Sequence, residues 1–124
     1  MSGVERKTVA LEFLRLAREG QRPAAERLLA PGGRHHNPYF AAGFPALLDA
    51  IEAAATASPN RTTDVKHVVA EGDYVVVHSH VRQDPAARGA AVVHLFRFDG
   101  DRIAELWDVG QPIPENNANA DGMF

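Results

Sequence analysis

His94 and Asp108 are the pair in this chain whose types and spacing could do chemistry together. They sit on the two arms of one β-rich ribbon, Val92-Val93-His94-Leu95-Phe96-Arg97-Phe98 and Ile103-Ala104-Glu105-Leu106-Trp107-Asp108-Val109. Between the arms lies Asp99-Gly100, and an Asp-Gly step flanked by β-branched and aromatic runs is the short-range signature of a hairpin. A turn with an odd number of loop residues, such as a type I turn closed by a glycine bulge, puts even-numbered positions of both arms on one face. His94 and Asp108 then look the same way, among Val92, Phe96, Phe98, Ala104 and Leu106. An imidazole and a carboxyl group in an apolar wall are expensive to bury without a partner or a use.

The chemistry such a pair offers is proton transfer beside a carbonyl. One group takes the proton, and the enolate oxygen that results needs a hydrogen-bond donor in a dry pocket. A carboxylate is a weak base at neutral pH unless apolar walls raise its pKa, and a protonated histidine next to it reverses that trend. The two would then titrate as a unit. The competing structural reading is a buried hydrogen-bonded pair that only fixes strand register.

Other residues extend the candidate site. His36 precedes Asn37-Pro38, a stiff segment suited to holding a side chain in one direction, and is expected as a pocket donor. On the stretch Tyr74 to Gln83, Val75, Val77, Ser79 and Val81 share one parity and look like the packed set, while His78 and His80 share the other. Because a pocket mixes polar and apolar groups, His78 and His80 are also candidates to line it near its mouth. Phe96 completes the expected substrate-binding set. His35 and His67 have no such support and belong to the surface or the core, and Tyr39 and Phe40 read as lid packing. Trp107, with Ile103, Glu105 and Val109, has the parity opposite to Asp108 and is expected on the other side of the sheet, where it suits a dimer interface. A metal is a rival use for these groups, since His36, His78, His94 and Asp108 could supply three imidazoles and a carboxylate. No compact ligand motif such as His-Glu-x-x-His occurs, so a site without metal is expected.

Composition narrows the classes. The chain has 124 residues, the size of one domain, 1–124, with enough length to bury a core. Its formal net charge is −3 and its Lys and Arg residues are scattered, which argues against nucleic acid as a partner. There is no cysteine, which excludes disulfides and thiolate chemistry and fits a reducing compartment. No apolar run approaches the roughly 20 residues of a membrane span, and the N-terminal stretch lacks the apolar centre of a signal peptide. A soluble cytoplasmic protein is therefore expected.

The elements that must position the pair follow from periodicity. Ser2-Gly3-Val4-Glu5 has capping-box spacing and should open a helix. Val9, Phe13 and Leu16 repeat along one face with Ala10, Leu14 and Ala17 beside them, while Glu5, Arg6, Glu12, Arg15, Arg18 and Glu19 fall largely on the other. Pro23 to Leu29 reads as a short second helix ended near Pro31-Gly32-Gly33. Arg34 to Phe40 reads as a short strand or ordered loop. A third helix runs from Phe44-Pro45 with Leu47, Leu48, Ile51, Ala54 and Ala55 as its stripe, broken at Ser58-Pro59-Asn60. Thr62 to Ala70 and Tyr74 to Gln83 form another hairpin through Glu71-Gly72-Asp73. After the ribbon, Pro112 and Pro114 stop the last strand, and the tail is polar with an apolar Met123-Phe124 end able to dock. Helices first and a strand meander afterwards make an α+β fold, with helices on one face of a curved antiparallel sheet that encloses a pocket.

With three helices before long strands, His36-Asn37-Pro38, Val77-His78-Ser79-His80, Leu106-Trp107-Asp108-Val109 and Gln111-Pro112-Ile113-Pro114-Glu115, the chain resembles the SnoaL-like branch of the nuclear transport factor 2-like superfamily. More narrowly, it is similar to the group described as predicted SnoaL-like aldol condensation-catalysing enzymes, its Met123-Phe124 ending included. The resemblance implies a cone-shaped, cystatin-like α+β fold, commonly a homodimer. Its pocket, in the polyketide cyclases, promotes an intramolecular aldol ring closure without metal or organic cofactor. It also implies an acid/base aspartate on the last strand with a histidine on the strand before it, which by position are Asp108 and His94. The function expected on this basis is cofactor-independent acid/base catalysis on a small carbonyl compound, by aldol condensation, cyclisation or isomerisation. The expected partners are a small-molecule substrate and a second copy bound through the outer face of the sheet. The alternatives are a ligand-binding dimer without turnover and a His/Asp metal enzyme.

Overall fold

Ser2 opens helix α1 (Gly3–Arg18) with a complete capping box, its hydroxyl accepting from the Glu5 amide and the Glu5 carboxylate accepting from its own amide. Ala10, Phe13 and Leu16 are the buried stripe. The computed structural model describes residues 1–124. After α1 come a short α2 (Arg22–Glu26), β1 (Leu29–His35), α3 (Phe44–Ala57), β2 (Thr62–Glu71), β3 (Tyr74–Arg82), β4 (Ala90–Asp99) and β5 (Arg102–Pro112). The strands form one sheet in the order β1-β5-β4-β3-β2. It is an open curved sheet, and α1 and α3 pack on one of its faces.

The core lies between that face and the helices. Phe13, Leu48, Val75, Val77, Phe96, Phe98 and Ile103 are sealed there. Phe13 and Phe96 meet edge to face at 6.1 Å, a geometry worth about 1 kcal/mol beyond the area buried. On β3 the valine parity is the inner one, with Val75, Val77 and Ser79 fully buried.

Two local features differ from the sequence reading. The segment around Pro31-Gly32-Gly33 is not a helix end but part of β1, an edge strand that runs parallel to β5, with an irregularity between Leu29 and Arg34. Proline is tolerated on an edge. Glycine is required at position 33, because a Cβ there would stand 2.2 Å from the Phe44 ring and 2.7 Å from the Ala104 carbonyl oxygen.

The second difference is in the β4–β5 ribbon. Asp99 pairs with Arg102, so the loop holds only Gly100 and Asp101, with Gly100 at a φ of 61°. A loop of that length opposes odd positions to even ones. Phe98 accordingly faces Ile103, yet Arg97 faces Glu105, which leaves Ala104 as the extra residue of a bulge. Beyond the bulge the even positions oppose one another, and His94 is the register partner of Asp108. The odd residue thus sits in β5 rather than in the turn. Ile103, expected on the outer face, is instead fully buried.

Candidate active site

A cavity of about 260 Å³ opens between α1, α3 and the inner face of the sheet. Phe13, Leu14, Leu47, Ile51, Val81 and Leu106 make its walls apolar. His94 and Asp108 both line it, side by side on β4 and β5.

His94 is partly buried and lines the cavity. Its Nδ1 is buried with no hydrogen-bond partner. Burial is the main influence on this imidazole and pushes its pKa down to about 4; Asp108 pulls it up, and the charge of Arg61 pushes it further down. At neutral pH the ring is uncharged.

Asp108 is held by a chain of contacts that starts in the loop after β1. His35, buried, accepts from the Asn37 amide at Nδ1 (3.1 Å), which leaves its Nε2–H to donate to the Ala41 carbonyl (2.7 Å). The Asn37 side-chain oxygen accepts from the Tyr39 amide at 2.9 Å, an Asx turn of the kind asparagine favours before proline. That bond fixes which way the amide points. Its nitrogen is left to donate to Asp108 Oδ2 at 2.9 Å, while Oδ1 has no protein partner. Asn37 and Phe40 also line the cavity.

Four of the residues expected at the site do not line this cavity. His36 points to the opposite side of the sheet, stacked on Trp107 at 4.9 Å and bonded to Glu105 at 2.5 Å. The His36 amide still bonds the Leu106 carbonyl, one residue past the end of β1, so its side chain falls on the face opposite to that of buried His35. With Arg97 and Arg34, His36 encloses Glu105, and its hydrogen bond is the largest influence holding that carboxyl below the usual range. His78 and His80 are outward by strand alternation. His78 meets His67 through facing Nδ1 atoms at 2.9 Å, with their rings stacked. His80 bonds the Arg88 carbonyl and carries the Phe124 ring at 4.7 Å, so the tail docks on the outer face. Phe96 is fully buried beneath the cavity, with its ring against that of His94, and so supports the imidazole rather than touching a ligand. Because His36 and His78 face away from His94 and Asp108, the four do not converge. No group of three or more His, Cys, Asp or Glu side chains is arranged to hold a metal ion.

Three residues of the cavity escaped the sequence reading. Asn37 was legible only as a neighbour of His36, although an asparagine before a proline is itself a signal for an Asx turn. Arg18 and Arg61 are partly buried and line the cavity. In the sequence Arg18 falls on the solvent face of its helix, and Arg61 follows a helix-breaking Ser-Pro-Asn with no pattern of its own.

The family model for the SnoaL-like domain matches residues 10–106. The chain belongs to the SnoaL-like family. His94 lies inside the matched stretch and Asp108 two residues beyond it. Among solved structures, a SnoaL-like protein of unknown function from Burkholderia thailandensis superposes with a TM-score of 0.74 at 14% identity, covering 90% of this chain and 98% of that one. An NTF2-like protein of unknown function from Cytophaga hutchinsonii gives 0.71 at 18% identity, covering 86% and 90%. A candidate polyketide cyclase from Sinorhizobium meliloti gives 0.68 at 19% identity, covering 82% and 94%. These likenesses establish the SnoaL-like fold. No curated protein matches the sequence.

Proposed function

We propose that this SnoaL-like protein is an acid/base catalyst acting on a small carbonyl compound, by aldol condensation, cyclisation or isomerisation. The observation that carries the reading is the direct pairing of an uncharged His94 with Asp108 on the wall of an apolar cavity. Asp108 Oδ1, free of protein partners, takes the proton from the carbon next to the carbonyl. The C–H electron pair becomes the new carbon–carbon π bond, and the carbonyl oxygen becomes an enolate. His94 supplies the donor that this oxygen needs. A buried N–H is left unpaired less readily than a lone pair, so the orphaned Nδ1 carries the lone pair and Nε2 carries the hydrogen offered to the enolate. The enolate carbon then attacks an aldehyde or ketone carbon, and the proton returns from Asp108 to the new alkoxide. In an isomerisation it returns to a different carbon. Asn37 holds Asp108 in position throughout.

Each role has a scale. General-base catalysis is worth typically 10² to 10⁴ in rate, and one oxyanion donor about 10² to 10³. Asp108→Asn keeps the shape and removes the base, so product formation from a panel of small aldehydes and ketones, wild type against this variant, is the test. A protein that only binds its ligand would turn over neither before nor after the substitution.

The same reading includes a homodimer through the outer face of the sheet. Val109, Val69 and Tyr74 are exposed there by 68%, 58% and 43%, around Trp107. An apolar patch of this kind favours association.

A further inference from the structure

We infer that the cavity takes a small organic carboxylate, an oxo acid whose charged end is held by Arg18 and Arg61. The inference rests on the acid/base reading only for what happens at the reacting carbon; the anion site stands on its own observations. Among the partly buried arginines, Arg6, Arg22, Arg82 and Arg97 each have a polar partner: Asp73, Asp49, His80 and Glu105. Arg18 and Arg61 are partly buried too, yet neither takes part in any ion pair or side-chain hydrogen bond. Both instead line the cavity.

A guanidinium that lines a largely apolar cavity and has no counter-charge of its own is free to pair with an anion in that space. Arg18 has a local reason for its position, at the last turn of α1, where a cation complements the helix dipole. Arg61, in the connection between α3 and β2, has none. The planar fork of arginine fits the two oxygens of a carboxylate.

The rest of the cavity sets the kind of carboxylate. Its volume of about 260 Å³ equals roughly nine waters at about 30 Å³ each, room for a short chain rather than a polycyclic body. Apart from Arg18, the walls from α1 and α3 are apolar. Asp108 repels a carboxylate, so the ligand is oriented with its charge toward the arginines and its carbonyl carbon toward Asp108.

The test compares hexanoate with hexanamide, which has the same shape without the charge, by isothermal titration at neutral pH. The wild-type protein is expected to bind hexanoate about tenfold or more tightly than hexanamide, the scale of a charge-assisted hydrogen bond. Arg61→Met and Arg18→Met keep the apolar stem, and each should weaken hexanoate about fivefold to tenfold while hexanamide is unchanged. Asp108→Asn should strengthen hexanoate severalfold. Equal affinities for the two probes in the wild type, no hexanoate binding at all, or a preference that persists in the double arginine variant would each overturn the inference. The two readings fail separately. If Asp108→Asn keeps full carbonyl turnover, the acid/base role falls and the carboxylate preference still stands; if the preference is absent, the acid/base role is untouched.

Discussion

Acidification should destabilise this fold through His94 in a way that a single substitution removes. The imidazole titrates at about 4 in the folded chain against a reference of 6.5. Between those values the unfolded chain binds a proton that the folded one refuses, so stability is full above about pH 6.5 and falls as pH drops toward 4. At about 1.36 kcal/mol for each pH unit, the loss from this one group amounts to about 3 kcal/mol, an order-of-magnitude figure. Glu5, Glu12, Asp64 and Glu105 are held below the usual carboxylate range and also lose stability in acid. Their contribution is common to the wild type and to His94→Leu, and it cancels in the difference. Urea unfolding of both proteins at steps from pH 7 to pH 4 should show the Leu variant gaining about 3 kcal/mol on the wild type over that range. Parallel curves, with a relative gain under about 1 kcal/mol, would refute the reasoning by showing that His94 is not a buried neutral imidazole.

Other outcomes follow from the same geometry. Asn37→Ala removes the donor on Asp108, and the loss of a charge-assisted hydrogen bond, about 1.5 to 3 kcal/mol, should lower turnover roughly 10- to 100-fold. Ligand affinity, measured by titration, should stay within about threefold, because Asn37 acts through Asp108. Gly33→Ala drives a methyl group into the Phe44 ring and the Ala104 carbonyl, and should cost about 1 to 3 kcal/mol in a denaturation curve. Val109→Glu puts a charge on the exposed outer face, and sedimentation should show the proposed homodimer giving way to monomer while the fold is kept.

Much of this fold was legible because local signals and the global pattern agreed. The Ser2–Glu5 box, the apolar stripe of α1, the valine parity of β3 and the Asp-Gly ribbon each pointed to the element that forms. Where the reading failed, long-range packing overrode a local signal. Pro31-Gly32-Gly33 has the punctuation of a helix end, yet Gly33 is there because Phe44 and Ala104 press on it from distant parts of the chain. The facing of His94 and Asp108 was reached through a turn of the wrong length, since nothing in the sequence marks Ala104 as a bulge. At the site, His36, His78 and His80 attracted attention for their chemistry while their strand parity sent them outward. Asn37, Arg18 and Arg61 are ordinary polar residues in a sequence, and only the closure of α1 and α3 over the sheet gives them a common cavity.

The most direct measurement of the acid/base role is exchange of α-protons for solvent deuterium in small oxo acids and ketones, followed by NMR with wild-type protein and with Asp108→Asn. The wild type should catalyse the exchange with saturation, and the Asn variant should retain binding while losing at least about 100-fold of the rate. Exchange at the wild-type rate in Asp108→Asn would contradict the assignment of this carboxyl group as the base.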